Sequence, residues 1–168
     1  METLNGDRNA FAELVRAHQG RALATARALC GDFDTAQDVT QEAFVQAYLS
    51  LRKLRDPAAF GAWLYGIVRN LSRKRTSRGR PAPVSLERDD VPEPSTGPPE
   101  VAGEMVAALA GLPRHHREIL AARYLQDLDY PEIARALGTT VNNVRVRCFR
   151  AKKALREALA AAGGQVNG

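Results

Sequence analysis

Six of the nine prolines fall within one nineteen-residue stretch, "PAPVSLERDDVPEPSTGPP", residues 81–99. Proline has no amide donor and drives the residue before it out of the helical region. The same stretch has few large apolar side chains to offset the entropy of ordering it. No helix or strand is expected to run through it. It reads as a flexible linker over 80–100, with a small domain on either side, 1–79 and 101–168.

The charge follows the same division. The chain of 168 residues carries a net +5. Residues 1–68 hold 7 basic and 8 acidic side chains, and residues 69–80, "RNLSRKRTSRGR", hold six basic and none acidic. Residues 81–104 hold one basic and six acidic, and residues 145–168 hold six basic and one acidic. The positive excess is thus confined to two blocks separated by an acidic strap. That pattern favours an anionic partner such as nucleic acid or an acidic membrane surface.

Hydrophobic residues make up 45% of the chain and aromatics only 6%, so Leu, Ala and Val must build the core. The apolar positions recur at helical spacing throughout, and the fold class expected is all-α. Phe11, Leu14, Val15, Ala22, Ala26 and Leu29 form a first stripe, with Gly20 a candidate break. A second helix is expected from the cap Asp34, with Gln37 as capping-box partner. Its apolar stripe is Val39, Ala43, Phe44, Ala47, Tyr48 and Leu51, and Asp38, Gln41, Glu42, Val45 and Gln46 lie on its other faces. A third begins at Asp56–Pro57. Phe60, Trp63, Leu64, Ile67, Val68 and Leu71 would be buried, and the helix runs directly into the first basic block.

Beyond the linker, two helices are expected over "VAGEMVAALAGL" and "PRHHREILAARYLQ", the second starting at Pro113. Asp129 then caps a short helix with Glu132 as its partner, and Gly138 ends it at the position of a left-handed C-cap. In the following helix Val144, Cys148, Ala151, Leu155 and Leu159 keep a three-or-four spacing. That spacing turns Arg145, Arg147, Phe149, Arg150, Lys152, Lys153 and Arg156 outward. A short helix, a glycine turn and a second helix make a helix-turn-helix. A disordered tail is expected from about residue 161.

The stretch Asn142–Leu155 holds five basic residues and no acidic one with which they could pair along the helix. A bulky Phe149 stands among the charges, where solubility does not require it. The stretch also occupies the recognition-helix place, which carries side chains into the major groove of DNA. Arginine can donate two bonds to a guanine edge and asparagine can pair with adenine. Asn142 and Asn143 stand in the turn that reaches the base edges first.

The segment "LPRHHREILAARYLQDLDYPEIARALGTTVNNVRVRCFRAKKALRE" resembles the promoter-reading C-terminal domain of a bacterial RNA polymerase sigma factor. "AQDVTQEAFVQAYLSL" and "FGAWLYGIVRNLSRKR" resemble its N-terminal domain. Together, over about residues 8–158, the chain is similar to the sigma-70 family, extracytoplasmic-function (group IV) type. The resemblance implies that Asp38, Gln41 and Glu42, with Gln46 nearby, dock on the clamp coiled coil of the largest subunit of core RNA polymerase. A polar outer helix face would use the same residue types. It implies that the loop Arg55–Phe60 holds a base flipped from the minus-ten element, with Phe60 as the ring; the helical pattern equally makes Phe60 a core residue. Asn70, Arg73, Lys74 and Arg75 would follow the melted strand. Asn142, Asn143, Arg145, Arg147, Phe149, Arg150 and Lys153 would read the minus-thirty-five element of promoter DNA. The acidic linker would either mimic nascent RNA or act as a tether. Many such proteins are held inactive by an anti-sigma protein. Departures from the family pattern are Val146 for a small polar residue, Asn142 and Asn143 for a glycine-threonine pair, and Cys148 for a large aliphatic.

Rival classes fit less well. A simple helix-turn-helix repressor has no use for the N-terminal motifs. An enzyme is not expected: there is no Gly-rich phosphate loop or Ser/His/Asp set. The adjacent His115 and His116 point about 100° apart on a helix and suit a shared metal badly, and these residues and His18 read as surface positions. No metal or cofactor is expected. Cys30 and Cys148 make a poor disulfide framework. No signal run or membrane span is apparent, and a soluble cytoplasmic protein is the default. A membrane-surface role lacks the broad apolar face it needs.

Overall fold

The computed structural model describes residues 8–78 and 99–166. The all-α expectation is met: no strand occurs among the described residues. The helices are α1 (Arg8–Cys30), α2 (Phe33–Leu49), α3 (Phe60–Arg78), α4 (Pro99–Ala110), α5 (Arg114–Leu120), α6 (Tyr130–Leu137) and α7 (Val141–Val166). Short 3-10 turns at Leu51–Lys53 and Pro57–Ala59 join α2 to α3, and a π-turn at Ala121–Leu125 extends α5. Of the expected linker, residues 80–98 lie outside the described residues, and α4 takes in the last two positions.

Local signals account for most helix ends. Asp56 accepts a bond from the Ala58 amide at 3.0 Å, with Pro57 in the first turn. Asp129 accepts from the Glu132 amide at 2.9 Å. The cap of α2 is Asp32, two residues before the expected Asp34: its carboxylate takes both the amide and the hydroxyl of Thr35, at 3.1 and 2.7 Å. Asp34 lies inside the first turn. Gly20 does not break α1, which is continuous from Arg8 to Cys30.

The reason lies in how α1 is buried. Ala22 and Ala26 face a core shared with Val39, Phe44, Phe60, Leu64 and Val68 of α2 and α3. Ala24, Ala28 and Leu29 face a second core, together with Tyr65 of α3. That second core is otherwise built by the C-terminal helices, from Val106, Leu109, Ile119, Leu120, Ile133, Val144, Cys148 and Ala151. The end of α1 is therefore buried on both sides, and its small side chains let two layers approach it closely. Packing of this extent outweighs the cost of one glycine in a helix, about 1 kcal/mol. The two halves of the chain thus share a core instead of standing apart.

At the other end, α7 extends past the body it packs on. Leu159, expected in the buried stripe, is 51% exposed. The helix continues to Val166, beyond the point where a disordered tail was expected.

Candidate nucleic-acid interface

The helix-turn-helix is built from α6 and α7. Gly138 adopts φ 66°, ψ 40°, the left-handed conformation that glycine reaches without a Cβ clash. The Thr139 amide then donates back to the Ala134 carbonyl at 2.9 Å, closing the turn. Thr140 caps α7 by accepting from the Asn143 amide at 3.1 Å. Val144, Cys148 and Ala151 are fully buried against the C-terminal core. Burial, as its largest cause, pushes the Cys148 thiol up, which keeps it a neutral core residue.

With that face fixed, Asn142, Asn143, Arg145, Arg147, Arg150 and Lys153 are exposed. Phe149 is 67% exposed among them, and Val146 is exposed beside it. Lys152 differs: it is half-buried, with its ammonium 5.9 Å from the centre of the Tyr124 ring. The structure therefore brings all seven residues expected at this surface onto one open flank of α7.

The basic end of α3 is differently arranged. Asn70 and Lys74 are exposed. Arg75 pairs with Glu42 of α2 at 3.1 Å. Arg73 is engaged by Glu118 of α5: its Nε and Nη2 donate to the two carboxylate oxygens, each at 2.7 Å. Arg69 donates to the same carboxylate at 3.1 Å. The Tyr65 hydroxyl donates to the Glu118 carbonyl oxygen at 2.7 Å. Arg114 donates to the Thr76 hydroxyl, and Arg117 to the Ala28 carbonyl at 3.3 Å. Burial alone would raise the Glu118 carboxyl, but the Arg73 bonds and the Arg69 charge outweigh it, and it lies below the ordinary carboxylate value.

Of the two places expected for Phe60, base-binding ring or core, the structure shows the ring packed in the core. It is 2% exposed and packs edge-on against His18, with ring centres 5.0 Å apart. Its position in the first turn of α3 aims it at the α1–α2 core. His18, expected at the surface, is half-buried by the same contact. Trp63 is half-buried and lines a groove of about 390 Å³ with Leu54, Ile67 and Asn70, closed on the far side by Arg135 and Ala136 of α6.

On α2, Asp38 and Gln41 are exposed and Glu42 and Gln46 half-exposed, all on the outer side. Beside them Val45 is 58% and Leu49 75% exposed, and Tyr48 stacks edge-on against Phe11 at 5.1 Å. Sequence reasoning did not single out this apolar margin, nor Arg69 and Glu118. The signal for the first was a valine and a leucine on the polar side of the α2 stripe. For the second there was none, because a glutamate among arginines on α5 looks like an ordinary solvated helix.

Comparison with known proteins agrees with the geometry. The family pattern described as Sigma-70 region 2 matches residues 14–80, and that described as Sigma-70, region 4 matches residues 102–155. The chain is 33% identical over 170 residues to the RNA polymerase sigma-H factor of Pseudomonas aeruginosa, covering 92% of this chain and 88% of that protein. It is 28% identical over 170 residues to the ECF RNA polymerase sigma factor SigW of Bacillus subtilis, covering 92% and 91%. Among solved structures, CnrH in complex with the cytosolic domain of CnrY superposes with a TM-score of 0.70 at 27% identity, covering 95% of this chain and 94% of that one. With both regions present in order and the α3 and α7 surfaces placed as described, the chain belongs to the sigma-70 family of RNA polymerase sigma factors, of the extracytoplasmic-function type, which direct transcription to specific promoters.

Proposed function

We propose that this sigma factor works through three surfaces. The outer face of α2, with Asp38, Gln41, Glu42 and Gln46, docks on the clamp coiled coil of core polymerase. The open flank of α7, with Asn142, Asn143, Arg145, Arg147, Phe149, Arg150 and Lys153, holds the minus-thirty-five duplex. The end of α3, with Asn70, Arg73, Lys74 and Arg75, follows the strand exposed at the minus-ten element. Residues 1–79 and 101–168 act as the two DNA-binding units, with 80–100 as their tether. Phe60 supports the minus-ten surface from behind.

The observation that carries this reading is the α7 flank: six polar or cationic residues and one bare aromatic ring, held outward by a fully buried opposite face. That surface suits a major groove, where guanidiniums and amides meet base edges. The mechanism is binding energy, with no bond made or broken by the chain. Polymerase sets the two units at a fixed spacing, and tethering raises the effective concentration of each at its site. Capture of unpaired bases shifts the duplex toward its open form. The protein acts where polymerase acts, in the cytoplasm, and a protein of the anti-sigma class is its regulator.

In vitro transcription with core polymerase on a randomised promoter library tests this. The expected result is a single pair of enriched motifs at a fixed spacing. No initiation above that of core polymerase alone would refute it.

A further inference from the structure

The carboxylate of Glu118 is held as an oxyanion of a strand would be. Arg69 and Arg73 stand one turn apart on the same face of α3, so their guanidiniums converge. Two like charges at that spacing repel, and an anion between them removes the repulsion. Residues 69–80 contain no acidic side chain to supply one. Instead Glu118 reaches in from α5, 4% exposed, with one oxygen on Arg73 and the other shared by Arg73 and Arg69. A pair of guanidiniums closing on two oxygens of one singly charged group is also the arrangement in which arginines hold the two free oxygens of a phosphodiester. The exposed Asn70 and Lys74 occupy the neighbouring positions of the same helix.

We propose that Arg69 and Arg73 form a phosphodiester site for the opened strand, and that Glu118 fills this site as an internal stand-in while the two halves of the chain are packed together. The inference rests on the reading that α3 follows the melted strand. It adds Arg69 to that surface and makes strand binding compete with the α3–α5 contact. The Tyr65 bond to the Glu118 carbonyl holds α5 in the register at which the carboxylate fits. Separation of the halves frees two cations at once.

The test uses the full chain and a fluorescein-labelled oligothymidylate of about twelve nucleotides, followed by anisotropy. Glu118→Gln should bind it several-fold more tightly than the unaltered chain. Its salt dependence should steepen by about 0.7, the increment for one additional phosphate neutralised on a single strand. Adding Arg69→Ala to Glu118→Gln should remove about half of that increment. Equal affinity and equal slope in Glu118→Gln and the unaltered chain would overturn the proposal. Should Glu118→Gln not fold, Arg69→Ala assembled with core polymerase decides alone. Permanganate reactivity of unpaired promoter thymines should then drop several-fold, with duplex binding at the minus-thirty-five element unchanged. Normal opening by Arg69→Ala overturns the inference while leaving the sigma-factor reading intact; failure of the unaltered chain to open any promoter overturns that reading itself.

Discussion

Arg73 and Glu118 stand 45 residues apart in sequence and are joined by two hydrogen bonds of 2.7 Å, one to each carboxylate oxygen. With Arg69 on the same carboxylate, this contact ties the basic end of α3 to the C-terminal half. It also links the chain's stability to pH.

Glu118 is lower in the folded chain than its ordinary value of 4.5, because the Arg73 bonds and Arg69 charge overcome burial. A carboxyl depressed on folding contributes fully above its unfolded value and loses that contribution as pH falls through the folded one. Unaltered protein and Glu118→Gln should therefore differ in urea midpoint by a constant amount from neutrality down to about pH 4.5. Below that the gap should narrow. A gap that widens on acidification would contradict the ion pairing.

Tyr65→Phe isolates the neutral part of the same contact. The hydroxyl is buried and donates to the Glu118 carbonyl, and burial followed by the Glu118 charge pushes the phenol up, so it remains a donor at and around neutral pH. The carbonyl also accepts from the Ala121 amide and is not orphaned by the change. A loss of about 1 kcal/mol is expected, at the low end for a buried bond. Thermal denaturation at two pH values should show the same loss at both.

Phe60 separates a core role from a contact role. Its ring is 2% exposed between His18 and Trp63. Phe60→Ala should cost about 3–5 kcal/mol of stability through the cavity it leaves. Phe60→Leu keeps most of the volume and should open promoters nearly as well as the unaltered chain. Loss of opening by a well-folded Phe60→Leu protein would return the ring to the base-binding role.

These residues also show what the sequence makes legible. Asp129, Gly138 and Asp56–Pro57 act within four residues of themselves, so their roles can be read locally, and the structure has each in place. Asp34, with Gln37 three residues on, fitted the capping-box pattern; Asp32 caps α2 instead because its carboxylate takes both the amide and the hydroxyl of Thr35. The outward flank of α7 was readable because its buried partners repeat strictly. Phe60 was ambiguous because the first turn of a helix can face either way. The shared core was harder to see, although alanine at 22, 24, 26 and 28 places small side chains on opposite sides of one helix. A helix apolar all round is buried all round, and that signal was available. Arg69 and Arg73 with Glu118 left no such trace, since charges on separate helices meet only when the helices pack.

On α7, Arg145 and Arg150 are exposed on the flank proposed to meet DNA. If each makes a bidentate base contact, Arg145→Ala and Arg150→Ala should each cost about 1–3 kcal/mol of discrimination between promoter and non-promoter duplex. Lys153→Ala should instead weaken both by a similar factor and lower the salt slope by about 1. Competition binding by the assembled polymerase at two salt concentrations distinguishes these. An unchanged motif in both arginine variants would place the specificity elsewhere.

The α2 face offers the most direct test of docking. Asp38 is exposed, and Glu42 is half-exposed and paired with Arg75 at 3.1 Å, both side chains being about two-fifths exposed. Pairs this open contribute about 0–1 kcal/mol, since solvent screens them. Asp38→Arg combined with Glu42→Arg should therefore melt within about 1 kcal/mol of the unaltered protein, yet fail to be retained by core polymerase and fail to support transcription. Arg75→Ala is the control: it breaks the Glu42 pair while leaving the acidic face in place, and should keep polymerase binding. Normal retention of the double variant, alongside an unchanged melting curve, would move the docking surface off α2 and toward its apolar margin at Val45 and Leu49.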